Sequence, residues 1–71
     1  MDIENKKIYY ISSIEEAYQR QDYKGVIALW DRLMDEKVSS PCGFEPNADL
    51  IQAVRNRVVS IILNTAKTLN I

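Results

Sequence analysis

Residues 47–69 read NADLIQAVRNRVVSIILNTAKTL, with no glycine or proline among them. Leu50, Val54, Val58, Ile61 and Thr65 recur at steps of three and four, the spacing that places side chains on one face of a helix. Ile51, Val59, Ile62, Leu63 and Ala66 form a second apolar stripe beside the first, leaving Asn56, Ser60, Asn64 and Lys67 as the continuous polar strip. Asn47 offers a side-chain acceptor for the free N–H groups of a helix start, and Asp49 in the first turn suits the helix dipole. Such a helix spans roughly 30 Å at about 1.5 Å per residue. The Val- and Ile-rich residues 57–63 would also suit a strand on composition. No partner strand is evident, however, and the helical period holds from Leu50 to Leu69. A helix this apolar around its circumference is buried on more than one side.

The segment before it, residues 38–46, holds Ser39, Ser40 and then Pro41-Cys42-Gly43-Phe44-Glu45-Pro46. Three of the four Gly and Pro residues of the chain lie there. It is expected to be a loop. Upstream, Asp22 is a candidate N-cap for a helix over residues 22–37, in which Tyr23, Val26, Ile27, Trp30, Leu33 and Met34 mark one buried face. Tyr23 and Trp30 are its expected core anchors, and Gly25 in its first turn allows close approach of a neighbour. Ser12 and Ser13 each precede a glutamate, Glu15 and Glu16, at capping-box spacing, which starts a helix over residues 13–20. The row Ile3, Tyr10, Ile14 equally allows a longer helix from near Asp2. The short link Arg20-Gln21-Asp22 implies an antiparallel pair.

The expected fold is all-α and a single domain over residues 1–71: a small three-helix bundle, or a helical hairpin plus a long C-terminal helix. Chains this short commonly need disulfides, a metal or oligomerisation to be stable. With one Cys and no His, only the last is open. A homodimer is therefore expected, its interface built from Val58, Val59, Ile62, Leu63 and Ala66.

A net charge of −1 gives no general attraction to a phosphate backbone. Arg20, Lys24, Arg55 and Arg57 are the candidates for contact with a partner or with nucleic acid, although Arg55 and Arg57 stand about 200° apart on a helix. Cys42 has no histidine to take its proton. Adjacent Glu15 and Glu16 point to different faces, and neither a metal-ligand set nor a Gly-rich phosphate loop is present. No enzymatic activity, cofactor or metal is expected. Asp2 and Glu4 without a following apolar run do not read as a secretory signal, and the apolar run of residues 58–63 is broken by Ser60. A reducing cytoplasm, bacterial or phage-hosting, is the expected setting.

The stretch IEEAYQRQDYKGVIALWDRLMD, residues 14–35, resembles the central segment of the PerC-type family of small bacterial transcription activators, also found in prophages. The likeness rests on Glu15 and Glu16, on Tyr23 followed one heptad later by Trp30, and on Leu33, Met34 and Asp35. Residues 51–60, IQAVRNRVVS, look similar to the family's following helix around Arg55, Asn56 and Ser60. Where the family has a basic pair after the Tyr, this chain has Lys24 and Gly25, and its loop between the helices is longer. The resemblance implies helical packing and a place in transcription.

Three functions follow as expectations. The first is a regulator acting through protein–protein contact in bacterial or prophage transcription. The second is direct DNA binding through the four basic residues. The third is a chaperone or inhibitor holding a partner's amphipathic helix in a groove around Tyr23, Trp30 and Val58.

Overall fold

The computed structural model describes residues 3–70. In chain order it contains α1 (Ile3–Gln19), α2 (Tyr23–Met34), β1 (Lys37–Ser40), β2 (Gly43–Pro46) and α3 (Ala48–Leu69). The chain is thus mainly helical, with a small two-stranded sheet that the all-α expectation did not contain.

Of the two starts that the sequence left open, helix α1 takes the longer one, ten residues ahead of residue 13, and Ser12 and Ser13 lie within it rather than capping it. The reason is burial. Tyr10, Ile14 and Ala17, spaced at i, i+4 and i+7, all enter the core, and continuing the helix through the serines is what holds that row in register. Helix α1 closes with paired backbone bonds, Asp22 N–H to Ala17 O at 2.8 Å and Gln21 N–H to Tyr18 O at 3.0 Å. This Schellman geometry puts Gln21 in the left-handed region at φ 61°.

Asp22 then caps α2, its Oδ1 accepting from Gly25 N–H at 3.1 Å. The close neighbour that Gly25 admits is this capping carboxylate: a Cβ on Gly25 would lie 2.3 Å from Asp22 Oδ2. Helix α2 stops at Met34, short of the expected residue 37. Glu36 leads out of it, and Lys37 already belongs to β1.

The segment read as a loop is an antiparallel hairpin, with Val38 opposite Glu45 and Ser39 opposite Phe44. Two features close it. Ser40 Oγ accepts from Cys42 N–H at 3.3 Å and donates to Gly43 O at 3.2 Å. Gly43 adopts φ 123°, which L side chains rarely reach. At its base Asn47 N–H donates to Glu36 O at 2.8 Å, while Asn47 Oδ1 accepts from Leu50 N–H and caps α3.

The turn at residues 20–22 and an ion pair between Lys6 and Glu36 make α1 and α2 antiparallel. Asn64 Nδ2 donates to Tyr18 Oη at 3.3 Å, which sets α3 parallel to α1. All three helices pack on one another. The core between them is Tyr10, Ile14, Ala17, Val26, Leu33, Leu50, Val54 and Val58. Among the described residues no helix is long and apolar enough to cross a membrane.

Candidate interaction surface

Helix α3 buries one row, Leu50, Val54, Val58 and Thr65. Val58 is fully enclosed, with 0% of its surface exposed. It is therefore core, and the expectation that it forms an interface, or lines a groove with Tyr23 and Trp30, is corrected: the α3 row that it belongs to faces α1 and α2.

The other four expected interface residues lie on the flank and outer side of α3. Leu63 is 61% exposed and Val59 41%, while Ile62 and Ala66 are half-buried. At about 100° per residue, Leu63 stands opposite the buried row, with Val59 beside it and Ala66 toward the flank. Carboxamides and a small hydroxyl border them: Asn56, whose Oδ1 accepts from Gln52 Nε2 at 2.9 Å, together with Ser60 and Asn64. A shallow depression around Leu63 is lined by Ser60, Asn64, Ala66, Lys67 and Asn70. The arrangement offers apolar contact framed by groups that both donate and accept hydrogen bonds, a chemistry suited to another helix.

Tyr23 and Trp30 are half-buried rather than enclosed. Trp30 packs against the edge of the core, and the Tyr23 ring meets Tyr18 edge-on with centroids 6.0 Å apart. The anchors of α2 are instead Val26 and Leu33, both fully buried.

The four basic candidates do not form one patch. Arg20 pairs with Glu16 one turn back on α1, and with exposed Lys24 it flanks the α1–α2 turn. That turn adjoins α3 near Asn64. Arg57 lies two turns, about 10 Å, nearer the start of α3, and Arg55 points to the other side of that helix.

Two features escaped the sequence. Phe44, 78% exposed, stands on the hairpin beside no apolar row whose period would have marked it. A cleft between α1 and the end of α2 is lined by Lys6, Tyr9, Tyr10, Arg32 and Glu36. Lys6 Nζ donates to Glu36 Oε1 at 2.9 Å, and this bond holds its pKa above the ordinary lysine value. Burial raises that of Tyr10, whose ring meets Tyr9 edge-on.

Comparison of the chain with protein-family models, curated proteins and solved structures found no match.

Proposed function

We propose that this chain is a small, non-catalytic helical regulator that self-associates through the outer face of α3 and acts by contacting another protein. The observation that carries the reading is the exposure of Leu63 and Val59 on the side of α3 away from the core. Val59 and Leu63 stand one turn apart on the helix, so their exposed side chains form one contiguous apolar patch rather than two scattered contacts. A near-neutral net charge favours a protein partner over a phosphate backbone. The transcriptional setting, in bacterial or prophage genes, rests on the resemblance of residues 14–35 and 51–60 to PerC-type activators. A reducing cytoplasm suits the single, exposed Cys42.

Light scattering over a concentration series, at low and high salt, tests the assembly. Twice the chain mass at tens of micromolar supports it, whereas the mass of one chain throughout removes it. The transcriptional part is tested by expressing the chain and its Leu63→Lys variant in a bacterial host. Transcript changes that only the parent chain produces support the reading, and identical profiles overturn it.

A further inference from the structure

The cleft between α1 and the end of α2 holds two polar groups that the fold leaves without partners among the described residues. Arg32 lines it from α2 and is exposed. Asp31 and Asp35 are its acidic neighbours along the chain, yet neither pairs with it: the ion pairs among the described residues are Lys6–Glu36, Lys7–Glu4 and Arg20–Glu16. The second group is the hydroxyl of Tyr10. That residue is 4% exposed and lines the cleft. Besides burial, the charges of Glu36, Arg32 and Lys6 act on its hydroxyl, which places it among the cleft's own side chains. Thr65 Oγ1 is the one fully buried side-chain polar atom among the described residues that lacks a hydrogen bond. The Tyr10 hydroxyl, equally unbonded there, therefore opens on the cleft.

We infer that this cleft binds a small aromatic monocarboxylate, its carboxylate held by the Arg32 guanidinium and the Tyr10 hydroxyl and its ring laid against Tyr9. Charge decides the head group. Lys6 and Glu36 neutralise one another at 2.9 Å, so the lining keeps a surplus of one positive charge, that of Arg32. A guanidinium fork matches a carboxylate with two parallel hydrogen bonds. A phosphate dianion would bring a second negative charge up to the Glu36 carboxylate. The rings decide the body. Tyr9 and Tyr10 meet edge-on with centroids 5.2 Å apart, and Tyr9 is exposed, so a third ring finds an aromatic surface to stack on or meet edge-on. At about 350 Å³ the cleft lies at the small end of ligand sites, which run from about 300 to 1,000 Å³. It shares no residue with the outer face of α3, so it stands or falls apart from the self-association proposed above.

Benzoate is the probe, titrated at neutral pH into the isotope-labelled chain and followed by NMR. The backbone amides of residues 6–10 and 32–36 should shift and saturate by about 10 mM, a weak limit for a ligand of this size. Arg32→Gln should weaken binding about tenfold or more, and Tyr10→Phe about threefold. Both variants should keep the parent's helical circular dichroism, since the first side chain is exposed and the second retains its ring. Either folded variant binding benzoate as the parent does overturns the inference, as do shifts that never saturate or that fall elsewhere on the chain. Benzamide carries the ring without the charge, and inorganic phosphate the charge without the ring. Neither should move these amides as benzoate does, and a match by either one overturns the assignment of an aromatic carboxylate.

Discussion

Lys6 Nζ donates to Glu36 Oε1 at 2.9 Å across thirty residues of sequence, joining the start of α1 to the residue that leads from α2 into the hairpin. The backbone carbonyl of Glu36 meanwhile accepts from Asn47, the cap of α3. One residue thus holds the same end of all three helices.

This bond gives the stability an alkaline limit. Lys6 and Tyr10 both have pKa values raised above their ordinary 10.5 and 10.0, so above about pH 10 the unfolded chain gives up protons that the folded chain keeps. Their contribution is whole below pH 10 and is lost as the pH rises through the folded values. Thermal melts should therefore fall in Tm from pH 9 to pH 11. Glu36→Gln, which removes the carboxylate partner of Lys6, should make that fall shallower.

Gln21 holds a left-handed conformation that a side chain disfavours. Gln21→Gly relieves it within an intact Schellman turn and should stabilise the fold by up to about 1 kcal/mol, read as a higher urea midpoint. A lower midpoint would mean that the side chain contributes something its exposed position does not show.

Thr65 is fully buried, and its Oγ1 finds no hydrogen-bond partner. A buried hydroxyl left unsatisfied costs about 1–3 kcal/mol, and valine has nearly the same shape. Thr65→Val should thus be at least as stable as the parent, with a gain on the order of 1 kcal/mol in chemical denaturation.

Val58 and Leu63 share a helix but not a fate. Lysine at Val58 would bury a charge with no partner and should abolish the cooperative melt. Lysine at Leu63 should leave the melt within about 0.5 kcal/mol at dilute concentrations while abolishing association. Circular dichroism and light scattering on the two variants separate core from contact surface.

Asp22 and Gly25 are coupled. A methyl at Gly25 displaces the carboxylate that caps α2, so the cost of Asp22→Ala, about 1 kcal/mol in the parent, should shrink in a Gly25→Ala background. A double-mutant cycle measures the difference.

Much of this fold is legible in sequence, and the gaps have physical causes. The row Leu50, Val54, Val58, Thr65 is visible by period alone because one long uninterrupted helix displays it over about four turns. Helix α1 is harder to place. Ser12 and Ser13 send a strong local capping signal, but packing of Tyr10, Ile14 and Ala17 overrides it, and packing is a property of the assembled bundle. The hairpin hides because its strands are four residues each and bury almost nothing, so no alternation of apolar and polar residues announces them. Trp30 misleads by its size: a large ring at the margin of a helical row completes the edge of the core, while the smaller Val26 and Leu33 occupy its centre. On α3 the pattern did not tell which of two adjacent stripes faces inward, since that depends on where α1 and α2 lie.

The 2.8 Å bond between Asn47 N–H and Glu36 O means that residues 37–46 depart from the bundle and return to it at a single point. Such an excursion is a graft site. Its length and content can vary, by evolution or by insertion at its tip near Cys42, without shifting α2 against α3. Among relatives of this chain, insertions and deletions should therefore gather there, while the spacing within α2 and within α3 stays constant.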